Sequence, residues 1–259
     1  MSHVFPPDER AAFYRVIETR RDIRAFRSDP IPEDILLKIL GAAHHAPSVG
    51  LMQPWNFIVI HDRATKARVH ALFLQENEAA AANYEGPRAA LYRTLKLEGI
   101  ENAPVNVCVT CDRTRGGPHV LGRNTIIDTD LFSTCCAIEN LWLAARVEGI
   151  GVGWVSILDN DELRAILGIP KPVVPVAYLC IGYAQDFLDE PELQRRGWAH
   201  RLPLGRVIYH ERWEGEGLGS KTSGAAPGAA HHPFRTGETY DEHLGNAKRK
   251  PVGNSETSA

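Results

Sequence analysis

Residues 130–158 read DLFSTCCAIENLWLAARVEGIGVGWVSIL, and this stretch decides the fold class. As far as Val147 its apolar side chains recur at helical spacing, which predicts a helix with one buried face. Gly149 can end that helix, because glycine readily adopts the conformation that follows many helix C-termini. The apolar run at 151–158 then predicts a covered strand. A long helix leading into a buried strand favours an α+β, or α/β-like, domain with helices packed on a central mixed β-sheet.

The flanking sequence continues this alternation as far as Trp213. Helices are predicted over residues 8–19, from Pro32 onward, and over 64–82, 88–97 and 162–167, with strands over 56–61, 105–111 and 173–183. Residues 214–259 are instead rich in Gly, Ser, Ala, Pro and charge, and they contain too little apolar surface to offset the entropy of ordering. We therefore predict one domain over residues 1–213 and a C-terminal tail over 214–259 that is disordered or lies on a partner.

The composition argues against nucleic acid and membrane as partners. The net charge is −3 over 259 residues with both signs mixed, so neither nucleic acid nor an anionic membrane is indicated. No apolar run approaches the length of a membrane span, and the N-terminus lacks the apolar segment of a signal peptide. We therefore expect a cytoplasmic protein.

The five cysteines fit that compartment as small core residues rather than as ligands. Cys108 and Cys111 form a C-x-x-C, but they lie in a predicted strand, where residues three apart face opposite sides. Such a pair does not easily share a metal or form a disulfide, and no second C-x-x-C completes a zinc site. We expect no metal.

The first segment with chemical content is RRDIR at residues 20–24. Guanidinium groups match the geometry of phosphate, and in an extended chain alternate side chains share a face. Arg20, Asp22 and Arg24 would then point together, with Arg21 opposite. The alternative is a solvated basic turn with a salt-bridged aspartate.

The second segment is HHAPSVGLMQPWNF at residues 44–57. Its small residues allow a planar ring to approach the backbone, while Ser48, Gln53 and Asn56 offer donors and acceptors. His44 and its neighbour His45 have no Cys, Asp or Glu at ligand spacing, so packing or hydrogen bonding is favoured over metal binding.

Two further segments are weaker. The glycines of GIGVGWVSIL precede and interrupt a strand, which indicates close approach of a ligand or another backbone rather than a dinucleotide fingerprint. Ser156 could face a bound ring or be a satisfied core serine. Arg201, in WAHRLPLGRVIY, would by itself be a surface residue.

Taken in order, RRDIR, AAHHAPSVGLMQPWNF, LKLEGI, CVTCDRTRGG, NLWLAAR, GVGWVSI and GWAHRLPL resemble the nitroreductase family of FMN flavoproteins over residues 10–213. Within that family they resemble most the branch of 5,6-dimethylbenzimidazole synthases. The resemblance implies the nitroreductase fold and an intertwined homodimer with two FMN sites at the subunit interface. It also implies an oxidoreductase of cobalamin biosynthesis, which uses dioxygen to fragment reduced FMN into 5,6-dimethylbenzimidazole, the lower ligand of cobalamin, and erythrose 4-phosphate.

The resemblance assigns site residues by position. Asp22 and Ser156 would be the catalytic pair, Asp22 as general base and acid and Ser156 as a hydrogen-bonding partner of a ring nitrogen. FMN would be bound by these two and by eight others: Arg20, Arg21, Arg24 and Arg201 toward the phosphate and ring edge, Lys96 on the carbonyl side of the ring, and Ile23, His44 and Ser48 along the pocket.

Two other functions stay open. One is a nitroreductase or flavin reductase that depends on NAD(P)H and recycles its FMN, although members of that kind usually carry a serine where this chain has Asp22. The other is a flavin-binding protein without turnover. For the synthase, the reduced FMN could come from a separate flavin reductase or, slowly, from NAD(P)H on the enzyme itself.

Overall fold

The structure is a computed structural model that describes residues 3–213. The predicted tail at 214–259 therefore lies outside the described residues. The chain divides into two compact units, residues 1–201 and 202–259. The predicted domain boundary at Trp213 stays a prediction.

The first unit contains all the predicted helices and strands. In chain order they are α1 (Pro7–Thr19), α2 (Glu33–His44), β1 (Trp55–Ile60), α3 (Arg63–Ala81), α4 (Gly86–Tyr92), β2 (Val105–Asp112), α5 (Thr129–Val147), β3 (Ile150–Val155), α6 (Asn160–Leu167), β4 (Val173–Tyr183) and α7 (Glu192–Arg195). Short 3₁₀ turns occur at Val49–Leu51 and, in the second unit, at Leu204–Arg206. The sequence did not predict α7, and the helix predicted over 88–97 ends at Tyr92.

The four strands form one sheet in the order β1-β2-β4-β3, and each neighbouring pair is antiparallel. The predicted mixed character is limited to an isolated parallel bridge between Asp22 and Val152. The apolar pattern of a strand reports its burial on both faces and not the direction of its neighbours, which explains this difference.

Helices cover both faces of the sheet, and the alternation of side chains along β2 shows how. Val107 and Val109 pack with α2 and α5 in one apolar cluster, whereas Cys108 packs with α3 in the other. Cys111, three residues further on, has Thr134 of α5 as a hydrogen-bonding neighbour. The two cysteines of the C-x-x-C therefore face opposite sides, as predicted.

One prediction about burial was wrong. Cys135 and Cys136, expected in the core, are exposed on α5, whereas Cys108, Cys111 and Cys180 are buried. Helix α1 has no buried residue, and Phe13 on its apolar face is 57% exposed. Helical periodicity identifies an apolar face but not what covers it. Within the described residues, no helix is both long and apolar enough to cross a membrane.

Candidate functional site

Residues 20–24 leave α1 in an extended conformation and lie along the free edge of β3. The Ile23 N–H donates to the carbonyl oxygen of Val152 (3.0 Å), beside the Asp22–Val152 bridge. A Cβ on Gly153 would collide with the carbonyl oxygen of Ile23 and the guanidinium of Arg24. The glycines of β3 therefore serve the close approach of another backbone, one of the two roles the sequence predicted.

This segment forms the floor of a cavity of about 200 Å³. Five cationic side chains and two carboxylates line it, together with four apolar residues. The cations are Arg20, Arg21, Arg24, Lys96 and Arg201; the carboxylates are Asp22 and Glu192; the apolar residues are Leu95, Leu97, Pro191 and Leu193. Six of the ten predicted site residues thus converge on one cavity.

Asp22 and Arg24 form a bidentate ion pair in that floor. Arg24 Nη1 donates to Asp22 Oδ1 (2.8 Å) and Nη2 donates to Oδ2 (2.6 Å). The backbone of Trp154 holds both partners, since its carbonyl oxygen accepts from Arg24 Nη2 (2.6 Å) and its N–H donates to Asp22 Oδ1 (3.1 Å). The side chain of Arg24 is only 11% exposed, so its guanidinium is committed to this pair rather than open to a ligand.

The carboxylate of Asp22 is accessible on one side, and protein atoms surround it on the other sides. Its side chain is 48% exposed. Burial nevertheless raises the pKa of Asp22 above its ordinary value, while Arg24 and the N–H of Trp154 act in the opposite direction by favouring the carboxylate. Such a carboxyl can take up and release a proton closer to neutral pH than a solvated aspartate can.

The guanidinium groups of Arg20 and Arg21 differ in how available they are to bind a ligand. The guanidinium of Arg20 lies 4.8 Å from the ring centroid of Trp142, and its Nε is 3.8 Å from Glu139. Arg21 donates instead to backbone carbonyls, among them those of Leu188 (2.8 Å) and Asp189. The prediction that Arg21 points away from Arg20 and Asp22 was wrong, because these backbone acceptors draw its side chain into the lining of the same cavity.

Lys96 and Arg201 are the most available cations of the cavity. Among the described residues, no hydrogen bond or ion pair engages the Lys96 ammonium or the Arg201 guanidinium. Leu95, Lys96 and Leu97 all line the cavity, which three consecutive residues of a helix could not do. The end of α4 at Tyr92 is thus what brings Lys96 into the site.

Ile23 lies behind this cavity. It is 6% exposed, packs in the core cluster on the α3 face and lines an adjoining cavity of about 550 Å³. The adjoining cavity shares Arg21, Asp22 and Arg24 with the first, so both open on the same segment.

Three predicted residues are not brought to this cavity within one chain. Ser156 lies just beyond the end of β3, where it lines a separate cavity of about 170 Å³. His44 accepts a hydrogen bond at Nδ1 from Trp55 Nε1 (3.1 Å), and Ser48 accepts one at Oγ from the N–H of Gln53 (3.0 Å). Within one chain, Asp22 and Ser156 thus line different cavities, and their pairing beside a flavin stays a prediction.

The segment that follows Ser48 is strained. Leu51 and Gln53 have positive φ angles of 52° and 49°, which side-chain-bearing residues rarely adopt. Arg115 holds the segment, since its Nη1 donates to the carbonyl oxygens of Gln53 (2.7 Å) and Trp55 (2.9 Å). Such strain persists where surrounding contacts enforce it and concentrates at functional sites.

Sequence reasoning missed two contributors to the site. Trp154 acts through its backbone, so its side-chain identity gave no signal. Glu192 and Leu193 line the cavity from α7, a helix too short to show periodicity.

Comparisons with known proteins agree with this geometry. The family model described as "Nitroreductase family" matches residues 17–183. The chain is 42% identical over 200 residues to a protein of Rhodospirillum rubrum named 5,6-dimethylbenzimidazole synthase, covering 77% of this chain and 95% of that protein.

Two solved structures share the fold. A BluB-like flavoprotein from Clostridium difficile 630 has a TM-score of 0.59 at 21% identity, covering 77% of this chain and 98% of that one. Iodotyrosine deiodinase, solved with FMN and 3-iodo-L-tyrosine, has a TM-score of 0.60 at 20% identity, covering 78% and 99%. The family model runs from the last residues of α1 to the end of β4, and the sheet, helices α2 to α6 and the segment at 20–24 all lie within it: this chain belongs to the nitroreductase family.

Proposed function

We propose that this protein is a 5,6-dimethylbenzimidazole synthase. Its substrates would be reduced FMN and dioxygen, and its products 5,6-dimethylbenzimidazole, for the lower ligand of cobalamin, and erythrose 4-phosphate. The observation that carries the proposal is a carboxylate, Asp22, in the floor of a cavity lined by five cations. A second support is the 42% sequence identity of this chain to a protein named 5,6-dimethylbenzimidazole synthase.

The cavity suits the phosphate end of FMN. Arg201 and Lys96 present cationic groups that no described side chain engages, and Arg20 adds a third. Arginine and lysine are the residues that proteins use to bind phosphate, and charge-assisted hydrogen bonds make such contacts strong. The phosphate would therefore lie beside Arg20 and Arg201, with Lys96 toward the carbonyl side of the ring, while Arg21 holds the backbone around them.

Asp22 is the group that can move protons. When bound, reduced FMN supplies the electrons for its reaction with dioxygen, and its fragmentation needs proton transfers at the ribityl chain and ring nitrogens. Asp22 would accept and return those protons at its carboxylate oxygens. Arg24 and the N–H of Trp154 orient the carboxylate, and the raised pKa brings it closer to the working pH.

The site needs more protein than one chain provides. The cavity of about 200 Å³ adjoins the second one of about 550 Å³ on residues 20–24, and neither is lined by His44 or Ser48. His44, Ser48 and the strained segment after them lie elsewhere on the chain, and Leu51 is 78% exposed. We propose that a second copy brings this segment over the cavity in a homodimer with two equivalent sites.

The test is aerobic incubation of the purified protein with chemically reduced FMN, followed by mass spectrometry of the small molecules. We expect 5,6-dimethylbenzimidazole to form in proportion to the flavin lost. Oxidised FMN and hydrogen peroxide alone, without that product, would contradict the synthase. An NAD(P)H oxidation assay would then examine the recycling reductase, and a separate flavin reductase can be added to see whether it replaces the chemical reductant.

A further inference from the structure

We propose that Trp198 is a positioning residue that holds Arg201 in the cavity and thereby makes the site select FMN over riboflavin. The inference rests on the proposed function, because it specifies how that same site recognises the phosphate. Riboflavin lacks the phosphate but carries the same ring and ribityl chain, so it isolates the contribution of the phosphate.

The segment that carries Arg201 depends on contacts with the rest of the protein for its position. Residues 188–201, which we call the strap, supply Pro191, Glu192, Leu193 and Arg201 to the lining of the cavity. The helix of the strap, α7, has four residues. So short a helix is not stable alone, and its place must be fixed by contacts with the rest of the fold.

The strap turns back on itself just before Arg201. The N–H of Trp198 donates to the carbonyl oxygen of Leu193 (2.8 Å), and that of Gly197 donates to Gln194 (2.9 Å). Gly197 has a φ of +73°, so these bonds form a Schellman motif, in which glycine avoids the steric cost of the left-handed conformation. The backbone N–H of Arg201 also donates to the side chain of Gln194 (3.2 Å).

Trp198 joins that turn to the rest of the protein. The guanidinium of Arg88 lies 4.0 Å from the centroid of its ring, and the ring of Tyr84 meets it edge-on at 5.2 Å. Tyr92, with its centroid 6.0 Å from that of Trp198, is buried and donates to Asn77 of α3 (2.7 Å). The indole therefore docks the strap onto α4 and the turn that precedes it.

Arg21 holds the other end of the strap, through the carbonyl oxygens of Leu188 and Asp189. Burial, and then the positive charges of Arg20 and Arg201, lower the pKa of Arg21. The positive charge of Arg201 thus acts on the neighbouring Arg21 within the cation cluster. Like charges held together in this way favour binding of an anion between them.

If Trp198 no longer packs against Arg88 and Tyr84, the C-terminal end of the strap is no longer held in place. The position of Arg201 is then no longer fixed. The contact between Arg201 and the phosphate would then be lost, while Asp22, Arg24 and Lys96 keep their own supports. A loss of affinity confined to FMN would therefore distinguish positioning of Arg201 from a general structural role.

The experiment measures dissociation constants of oxidised FMN and of riboflavin by flavin fluorescence titration. For Trp198→Ala we expect FMN affinity to fall about tenfold, the size expected when one charge-assisted hydrogen bond is removed, with riboflavin affinity unchanged. Trp198→Phe keeps a ring over Arg88 and should retain most of the selectivity. Arg88→Ala, at an exposed position, should lower the selectivity in the same direction, and Arg68→Ala at an exposed position of α3 is its matched control.

A double variant completes the test. In the Arg201→Ala background, Trp198→Ala should cause no further loss of FMN affinity, because its effect acts through Arg201. The inference is overturned if Trp198→Ala weakens both flavins equally, leaves the selectivity intact, or adds its full effect to that of Arg201→Ala. If the wild-type protein binds neither flavin, the proposed function fails as well, whereas selective binding that survives Trp198→Ala contradicts the inference alone.

Discussion

Asp22 is subject to two opposing influences that together set its chemistry. Burial favours the neutral acid, while the bidentate contact with Arg24 favours the anion. A carboxyl balanced in this way can change protonation state during a reaction without moving. Under the proposed function, its neighbours on the floor of the cavity would serve either phosphate binding or the orientation of this one group.

Replacing Asp22 by Asn tests its role as a base. The amide keeps the shape of the side chain but cannot accept a proton, so FMN should still bind while the rate of product formation falls by about 10²- to 10⁴-fold. The measurement is the yield of 5,6-dimethylbenzimidazole from reduced FMN, beside a fluorescence titration of FMN. Formation of product at the wild-type rate would refute the assignment.

The same substitution should change how stability depends on pH. Because the pKa of Asp22 is raised on folding, the folded protein binds this proton more tightly than the unfolded chain does. The stability gained is full below the unfolded-state pKa of about 3.9 and disappears as the pH rises through the folded-state pKa. The unfolding free energy of Asp22→Asn minus that of the wild type should therefore increase as the pH rises from the unfolded-state pKa through the folded-state pKa, and level off above it.

Urea unfolding at a series of pH values measures this difference. Weaker contacts between the introduced amide and Arg24 would add a constant offset but leave the slope of the difference with pH unchanged. A flat difference across the range would show that the pKa of Asp22 is not raised in the folded protein.

At the scale of elements, the site depends on how closely residues 20–24 approach β3. Gly153→Ala would place a methyl group against the carbonyl oxygen of Ile23 and the guanidinium of Arg24. We expect the unfolding free energy to fall by about 1–3 kcal/mol, as for other overpacked interiors, and FMN binding to weaken as the Arg24 pair shifts. Thermal or urea unfolding checks the first effect and flavin titration the second.

Gly41→Ala provides the matched control. Gly41 lies in α2 with nothing within 4 Å of the added methyl group, so the substitution should raise stability by up to about 1 kcal/mol. If both variants had the same effect, the approach of the two backbones at Gly153 would not be as close as described.

The longer helices and strands could be predicted because the spacing of apolar residues along the sequence reflects which side chains are buried. Helix α5 and strands β2 and β4 have long buried runs, and their bounds agree with the prediction to within a residue. The short elements could not be predicted in the same way. Helix α4 ends at Tyr92 although its apolar pattern continues to Leu97, and α7 has too few residues for any pattern to appear.

Part of the site was equally predictable. A cluster such as RRDIR is costly to bury without a purpose, and the structure places it on the floor of a cavity. Other parts depend on distant backbone: the carbonyl of Trp154 commits Arg24 to Asp22, and the end of β3 at Val155 removes Ser156 from the cavity. No local sequence signal reports either fact.

For the whole molecule, the decisive question is whether two copies share each site. If they do, a chain defective at Asp22 and a chain defective at Ser48 should complement each other. Mixed dimers of Asp22→Asn with Ser48→Trp would place both defects in one site and leave the other intact, so each mixed dimer should have about half of the wild-type activity. Random pairing of equal amounts makes about half of the dimers mixed, so the refolded sample should reach about a quarter of the wild-type activity.

The measurement is product formation after the two inactive variants are unfolded together and refolded, with each variant treated alone as the control. Analytical ultracentrifugation of the wild type gives the oligomeric state directly. A monomer, or a mixture as inactive as its parts, would contradict the shared site.

The position of residues 20–24 has a further consequence. Strand β3 ends the sheet, and an uncovered end strand offers its backbone to other chains and promotes aggregation. Residues 20–24 cover part of that edge through Ile23 and the side chain of Asp22. Changes made there to alter chemistry would also weaken a barrier to aggregation, so solubility and turnover should evolve together at these five positions rather than independently.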